Sequence, residues 1–304
     1  MKKILLSIIT IATISNASQL EITSGWQLKG SSQNINISSF NNPNISYVWG
    51  YDSHTHRWSV YLPNNPTYMN NLPTSIDKLN SIKANQGFWI YATNNTILTI
   101  SKSLLIPAYF YDDNIWDNVG NHLAIINPNN GVGSDISTHY LNITNNHNTL
   151  GYIYTSYSHR DIQDIENEVD KYIEYYPNIK GFFFDEVNSS IDAIDYYTDI
   201  YNYVKNKGNY FITLNPGTSP NDSYYNIADS IVVYEGSDQN RAIQSCTRNK
   251  TTIIVYDINS TQMKNIIQNS NCDYFYITDD TLSNPYDTLP SYWDEEQNEI
   301  NNSI

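Results

Sequence analysis

The sequence predicts an α/β protein: a (β/α)8 TIM-like barrel preceded by a small, mostly β N-terminal module. After residue 102, apolar strand candidates alternate with amphipathic helical patterns, and eight such strands in roughly 200 residues fit a compact barrel. The run Gly181–Phe184 is typical of a strand buried on both faces of a parallel sheet. A doubly wound open sheet is the alternative, but no glycine-rich dinucleotide fingerprint follows the first strand candidate.

Residues 1–17 have the pattern of a secretory signal peptide. Lys2 and Lys3 are basic, Ile4–Ile14 is apolar, and Ser15-Asn16-Ala17 is a small-residue cleavage site. The alternative, a membrane anchor, needs a longer apolar run. We therefore expect cleavage near Ala17 and a protein that is secreted, periplasmic or at the cell surface, with no stable membrane insertion.

Residues 18–102 are expected to form the β module, because short alternating aromatic runs are separated by turn residues. Strand candidates are 45–49, 58–61, 87–91 and 96–100. Its tryptophans, among them Trp26, Trp49 and Trp89, allow two interpretations. Exposed tryptophans would bind polysaccharide, whereas buried ones would form the core of the module, and we favour burial because aromatic side chains are usually buried.

Residues 103–304 are expected to form the barrel. The strand candidates are 105–111, 122–126, 150–155, 181–184, 210–214, 230–234, 251–256 and 274–278. Between them lie amphipathic helical patterns at 162–175, 191–205 and 261–268. Cys246 and Cys272 each precede a neighbouring strand at the amino-terminal rim, so we expect a disulfide between them in an exported protein.

The charge excludes one class of partner. The chain has 16 basic and 31 acidic residues, a net charge of −15, so a nucleic-acid partner is not expected. Neither cysteine has metal-ligand spacing with histidine, and we assign no metal and no cofactor. We expect a monomer.

The functional rim of a barrel is built from residues at the carboxyl ends of its strands. Here that rim is rich in acids, tyrosine and asparagine and poor in lysine, arginine, histidine and cysteine, as in sugar-binding sites. The proposed catalytic acids are Asp185, Glu186 and Glu235. The proposed substrate-binding residues are Tyr109, Tyr111, Asn127, Tyr154, Tyr157, Asn215, Asp257 and Asp279.

Several of these residues have a structural alternative. Asn215-Pro216-Gly217 has the composition of a turn, and Asp257 and Asp279 are placed to cap helices. Asp185 and Glu186 are adjacent, and side chains of adjacent strand residues point to opposite faces. That alternation breaks at the end of a strand, so both carboxylates can still reach the rim.

At these motifs the sequence resembles the spherulin 4-like family of secreted (β/α)8-barrel glycoside hydrolases. The resemblance covers about residues 104–293 and is carried by Ile106–Tyr111, Ile125–Gly133, Leu150–Tyr157, Phe183–Glu186, Leu214–Gly217 and Val233–Gly236. It implies endo-acting cleavage of α-1,4-linked N-acetylgalactosamine or galactosamine in exopolysaccharides, including biofilm polymers. The family's acidic cluster maps onto Asp185, Glu186 and Glu235.

We assign each of these acids a role, and in this assignment Asp185 and Glu186 can exchange places. Asp185 is the nucleophile or charge stabiliser, Glu235 the general acid/base, and Glu186 orients substrate or tunes its neighbour. The alternative from a different class is a non-catalytic, lectin-like polysaccharide-binding protein of the cell surface. A metal-dependent hydrolase is a third hypothesis, which the histidine-poor rim disfavours.

Overall fold

The computed structural model describes residues 18–30, 35–52, 55–79, 81–82, 86–100, 102–248 and 250–302. The chain divides into two compact units, one of residues 1–101 with 301–304 and one of residues 102–300. The predicted signal peptide, residues 1–17, lies outside the described residues. Within the described ranges, no helix combines the length and the apolar character needed to cross a bilayer.

The first unit is rich in β structure, as predicted. Its strands are β1 (Ser18–Ile22), β2 (Gly25–Gly30), β3 (Ile35–Asn36), β4 (Ile45–Asp52), β5 (Arg57–Tyr61), β6 (Ile76–Lys78), β7 (Ser81–Ile82), β8 (Gly87–Ala92) and β9 (Thr96–Ile100), with one short helix, α1 (Pro66–Met69). Five strands form a sheet in the order β2-β8-β4-β5-β6, while β1 pairs with β9 and β3 with β7.

The expectation that the tryptophans form the core of this unit is wrong for Trp26 and Trp89, whereas Trp49 packs beside a small core cluster. Trp26 is 53% exposed, Trp58 44% and Trp89 37%. The core is instead formed by aliphatic side chains and phenylalanines, such as Phe88 and Ile90. The physical reason is strand alternation: in β8, Phe88 and Ile90 point to one face of the sheet while Trp89 points to the other.

The second unit is a closed barrel of eight parallel strands, which confirms the predicted fold class. The strands are β10 (Ser103–Pro107), β11 (Leu123–Ile126), β12 (Asn148–Tyr154), β13 (Gly181–Asp185), β14 (Phe211–Leu214), β15 (Ser230–Gly236), β16 (Thr251–Val255) and β17 (Tyr274–Ile277). The barrel closes where Ser103 and Leu104 of β10 pair with Tyr274 and Phe275 of β17.

Helices lie between these strands or follow the last of them. They are α2 (Asp113–Trp116), α3 (Thr138–Asn146), α4 (Ile162–Tyr175), α5 (Ile194–Lys207), α6 (Gln239–Ser245), α7 (Ser260–Asn269) and α8 (Trp293–Asn302). Helix α4 begins after Asp161, whose side chain accepts a hydrogen bond from the Gln163 N–H, as N-cap residues do. Helix α7 begins with a capping box between Asn259 and Gln262.

Helix α4 is fixed to the barrel by its buried face. Tyr172 lies fully buried, and its hydroxyl donates a hydrogen bond of 2.9 Å to the Tyr152 carbonyl of β12. Gly151 makes room for this ring, because a Cβ there would lie 2.8 Å from it. The packing holds the end of β12 that contributes to the site described below.

Cys246 and Cys272 form a disulfide with a Cα–Cα distance of 5.1 Å. Cys246 follows α6 and Cys272 precedes β17, so the bridge ties together the segments that lead into the neighbouring strands β16 and β17.

Candidate active site

The carboxyl ends of three consecutive barrel strands bring three polar side chains together. Asp185 is the last residue of β13, Asn215 follows the last residue of β14, and Glu235 lies at the end of β15. Since β14 pairs with both β13 and β15, these ends are neighbours at one rim of the barrel. This is the rim where barrel enzymes carry their chemistry.

The Asn215 side chain joins the two carboxylates. Its amide nitrogen Nδ2 lies 2.8 Å from Asp185 Oδ1 and 2.9 Å from Glu235 Oε2. Its oxygen Oδ1 accepts a hydrogen bond of 2.9 Å from the Gly217 N–H, which fixes the orientation of the amide. Because both carboxylate oxygens contact one nitrogen atom, the two distances limit their separation to 5.7 Å.

Two tyrosines complete the set of donors. The Tyr152 hydroxyl donates to Asp185 Oδ2 at 2.9 Å, and the Tyr286 hydroxyl donates to Glu235 Oε1 at 2.5 Å. All four carboxylate oxygens therefore accept a hydrogen bond. Tyr109 packs edge-on against both tyrosines, with ring centroids 6.0 Å from Tyr152 and 5.8 Å from Tyr286.

Burial dominates the electrostatics of the pair. It raises the pKa of Asp185, while hydrogen bonds from the Glu186 backbone, Tyr152 and Asn215 oppose that rise. Burial also raises the pKa of Glu235; hydrogen bonds from Tyr286 and Asn215 oppose the rise, and the charge of Asp185 adds to it. Glu235 is therefore the better placed of the two to hold a proton.

The two donor tyrosines remain protonated. Burial, followed by the nearby carboxylates, raises the pKa of Tyr152 and of Tyr286. Within the described residues neither Asp185 nor Glu235 forms an ion pair, and no group of three or more histidine, cysteine, aspartate or glutamate side chains is arranged to hold a metal. The arrangement supplies two partly buried carboxylates and uncharged donors.

Glu186 adopts a left-handed backbone conformation, with φ of 52°. That region is uncommon for a residue with a side chain and is concentrated at functional sites. Its carbonyl accepts hydrogen bonds from Thr155 Oγ1 at 2.8 Å and from the Tyr157 N–H at 2.7 Å. The turn ends the strand alternation after Asp185, so the adjacent carboxylates need not point to opposite faces.

Two other predicted residues lie exposed near the carboxyl ends of their strands. Tyr111 is 67% exposed and stacks on His139 with ring centroids 3.9 Å apart. Tyr157 is 55% exposed and is bonded through its backbone to Glu186. Both rings remain available to a ligand that extends beyond the carboxylates.

Of the remaining four predicted residues, three have side-chain partners away from the carboxylates. Asn127 Oδ1 accepts from the Gly131 N–H at 2.8 Å, and the Tyr154 ring lies 4.5 Å from the Arg160 guanidinium. Asp279 accepts from the Ser291 N–H at 3.0 Å. Asp257 is exposed, and the N-cap of α7 is Asn259 rather than Asp257.

Three residues of the site are absent from the sequence-based set: Tyr152, Thr155 and Tyr286. Tyr152 has a sequence signal, because it lies two positions before Tyr154 and so shares a face of the strand. Thr155 directly follows Tyr154, but a lone threonine after a strand has no distinctive pattern. Tyr286 lies in the irregular segment after β17, where no periodicity predicts its direction.

Comparison with known proteins places the barrel among related chains. Residues 103–300 match the model of the spherulation-specific family 4, Spherulin4. Spherulin-4 of Physarum polycephalum is 40% identical over 151 residues, which cover 45% of this chain and 46% of that protein. The chain thus aligns with less than half the length of this curated relative.

A solved structure has the same fold. The crystal structure of Aspergillus clavatus Sph3 in complex with GalNAc matches with a TM-score of 0.58 at 19% identity. The match covers 66% of this chain and 97% of the Sph3 chain. At this identity the likeness concerns the barrel fold.

Proposed function

Because the chain belongs to the spherulation-specific family 4, we propose that it is a glycoside hydrolase that cleaves N-acetylgalactosamine- or galactosamine-containing exopolysaccharide. One observation carries the proposal: Asn215 Nδ2 holds Asp185 and Glu235 together at the carboxyl-terminal rim of the barrel. Two carboxylates are the usual equipment for hydrolysing a glycosidic bond. The GalNAc bound by the structural neighbour Sph3 supports the choice of sugar.

We propose that the enzyme is endo-acting, so that it cleaves α-1,4 linkages inside the polymer chain rather than at its ends. Exposed Tyr111 and Tyr157 support this action, because rings beyond the carboxylates can stack on further sugar units. We also propose that residues 1–17 export the protein, since its polymer substrate lies outside the cell.

Glu235 is proposed as the general acid/base. A general acid must hold a proton near the working pH, and both burial and the charge of Asp185 raise the pKa of Glu235. The Tyr286 hydroxyl fixes the position of its carboxyl group. Glu235 would donate its proton to the glycosidic oxygen as the bond from C1 to that oxygen breaks.

Asp185 is proposed as the nucleophile. Hydrogen bonds from the Glu186 backbone, Tyr152 and Asn215 favour its ionised form against the effect of burial. An ionised carboxylate can attack C1 and form a covalent glycosyl–enzyme intermediate. Glu235, now deprotonated, would then take a proton from water as the water oxygen displaces Asp185 from C1.

The separation of the carboxylates supports retention of configuration. Retaining glycosidases place their two carboxyl groups about 5–5.5 Å apart, and inverting ones about 6.5–9.5 Å. The nearest oxygens of Asp185 and Glu235 are at most 5.7 Å apart. Glu186 is proposed to orient substrate, because it directly follows Asp185 and its charge acts on Tyr152, the donor to Asp185.

The test is reducing-end release from α-1,4-linked N-acetylgalactosamine polymer by the chain from residue 18 onward. The variant is Glu235→Gln, and the matched control is Glu174→Gln, which removes an exposed carboxylate of helix α4. We expect release by the parent and the control and none by Glu235→Gln. Polymer binding without release by the parent would favour a lectin-like protein and refute the hydrolase.

A further inference from the structure

The first unit carries a second cluster of aromatic side chains, on the exposed face of its five-stranded sheet. Cross-strand pairs place these rings side by side: Trp49 is opposite Trp89, and Tyr51 is opposite Trp58. We call this surface the aromatic face and define it by Trp26, Tyr47, Trp49, Tyr51, Trp58, Trp89 and Tyr91.

The rings of the aromatic face form two groups around a depression. In one group the Trp26 ring stacks on Tyr47, with centroids 5.8 Å apart. In the other, the Trp58 ring lies 5.1 Å from that of Tyr51. Between them is a cavity of about 420 Å³, lined by Trp26, Trp49, Trp58 and Trp89. The face is therefore aromatic, with a shallow depression between its two groups of rings.

Most of these rings lie outside the core of this unit. The larger apolar cluster lies on the opposite face of the sheet, where Val48, Phe88 and Ile90 are fully buried. Trp49 packs beside a smaller cluster around Val60. Four of the six tryptophans of the chain nevertheless line the exposed depression. A contiguous apolar patch that remains exposed in a folded protein commonly marks a binding surface.

The kind of side chain indicates the kind of ligand. Aliphatic residues would serve a generic hydrophobic contact, but this face is made of tryptophan and tyrosine. Their ring faces carry partial negative charge, which complements the C–H-rich face of a sugar ring and protonated amino groups. Tyrosine hydroxyls at the edge add hydrogen-bonding groups, among them that of Tyr51, which lies 3.2 Å from His56 Nδ1.

The charge of this unit supports the same class of ligand. Residues 18–101 contain three acidic and four basic residues, whereas residues 102–304 contain 28 acidic and 10 basic residues. Beside the face, Arg57 is bound to Asp77 at 2.6 Å, which neutralises it. Anionic nucleic acids and anionic membranes require clustered basic side chains. A neutral or amino-sugar polymer matches this uncharged surface.

The size of the face indicates a polymer rather than a single sugar. The aromatic residues occupy the four adjacent strands β2, β8, β4 and β5. Neighbouring strands lie about 4.8 Å apart, so the face extends roughly 14 Å across the sheet. A surface of that length accommodates several consecutive rings of an extended chain.

We propose that the aromatic face is a polysaccharide-binding site, distinct from the carboxylate site of the barrel, and that its ligand is an N-acetylgalactosamine-containing polymer. The identity of the polymer rests on the proposed function of the barrel. Each exposed indole stacks on a sugar ring, and the affinity comes from several rings bound together. The site holds the enzyme on an insoluble substrate.

The experiment measures co-sedimentation of the chain from residue 18 onward with insoluble α-1,4-linked N-acetylgalactosamine polymer. All proteins carry Glu235→Gln to prevent cleavage, and the variants are Trp26→Ala and Trp58→Ala. The matched control is Leu28→Ala. Leu28 pairs with Trp89 on the neighbouring strand, so both side chains lie on the same face of the sheet, and Leu28 is 51% exposed. These side chains lie outside the core, so unchanged melting temperatures are expected for all variants.

We expect each tryptophan variant to bind at least tenfold more weakly than the parent and Leu28→Ala to bind like the parent. Equal binding by all proteins would overturn the proposal, as would no binding by the parent. An equal loss in Leu28→Ala would show generic hydrophobic adhesion and overturn it too. Comparable binding of the parent to anionic alginate would contradict the electrostatic argument.

Failure of this inference is distinguishable from failure of the proposed function. Cleavage is measured with the protein that retains Glu235, on a soluble oligosaccharide of the same linkage. Binding through the tryptophans without any cleavage would leave the inference standing and refute the hydrolase. Cleavage by the parent, combined with normal binding by the tryptophan variants, would support the hydrolase and overturn the inference.

Discussion

The Tyr286 hydroxyl donates a hydrogen bond of 2.5 Å to Glu235 Oε1. This bond links the segment after the last barrel strand to a carboxylate on the sixth strand. It stabilises the ionised form of Glu235 and so opposes the rise in pKa that burial causes. The balance between these effects sets the pH at which Glu235 can donate a proton.

We expect Tyr286→Phe to move the alkaline limb of the kcat/KM profile to higher pH. The change removes a donor to the carboxylate, so the pKa of Glu235 rises further and its protonated form persists to higher pH. Hydrogen bonds to charged groups contribute about 1.5–3 kcal/mol, so kcat/KM at the optimum should fall about 10- to 100-fold. The pH–rate profile measures both effects.

A suitable control for Tyr286→Phe is Tyr175→Phe, which removes a hydroxyl bonded to the Ser134 carbonyl at 3.1 Å. That profile should match the parent's. A profile of Tyr286→Phe with an unmoved alkaline limb would contradict the role given to this bond.

We expect Asn215→Ala to lower kcat/KM by about 100-fold or more, because it removes the donor shared by Asp185 and Glu235. Without the shared amide, the two carboxylates also lose the contact that holds them together. Steady-state kinetics measure the loss, with Asn178→Ala as the control, since Asn178 bonds Asn145 at the surface. Parent-like kinetics in Asn215→Ala would show that the bridge is not needed.

We expect the first product released from an α-linked polymer to be the α-anomer. The limit of 5.7 Å between Asp185 Oδ1 and Glu235 Oε2 fits the spacing of retaining glycosidases. NMR spectra recorded before mutarotation measure the anomer directly. Initial release of the β-anomer would indicate inversion and remove Asp185 from the role of nucleophile.

Ionisation of the partly buried Glu235 should make the folded state less stable as pH rises. Burial raises the pKa of Glu235 in the folded state above its ordinary value of 4.5. At pH values between these two pKa values, the folded state keeps a proton on Glu235 that the unfolded chain has lost. The free energy of unfolding therefore falls as the pH rises from about the unfolded pKa of Glu235 to its raised pKa in the folded state. Glutamine stays neutral, and the Tyr286 hydroxyl can turn to accept from it.

The measurement is the melting temperature of Glu235→Gln minus that of the parent, at pH 4 and at pH 8. We expect this difference to become more positive at pH 8. The exposed variant Glu174→Gln provides the comparison. A difference for Glu235→Gln that does not change with pH would contradict the effect ascribed to burial.

Loss of the Cys246–Cys272 bridge should destabilise the barrel by about 3 kcal/mol, since it closes a loop with a sequence separation of 26. Urea unfolding of the parent with and without reductant measures the change in the free energy of unfolding. The double variant Cys246→Ser with Cys272→Ser should be insensitive to reductant. Equal stability of the oxidised and reduced parent would contradict this account.

The barrel and the strand-end positions of its acids could be predicted from the amino-acid sequence. Runs such as Gly181–Phe184 are apolar at every position, as in strands that are covered on both faces, and a charge then marks where the strand ends. Since the strands of a barrel are parallel, residues at their carboxyl ends share one rim. That is why Asp185, Asn215 and Glu235 were predicted together without knowledge of any contact.

The tyrosines that donate to the carboxylates, and the face of the first unit's sheet that is exposed, depend on long-range contacts and could not be predicted from the sequence. Tyr286 follows an irregular segment whose direction no local pattern specifies, and its contact with Glu235 spans 51 residues. In β8 both faces are apolar, so alternation separates Phe88 from Trp89 without saying which is buried. The burial of Phe88 and the exposure of Trp89 follow from packing against other strands, which depends on long-range contacts.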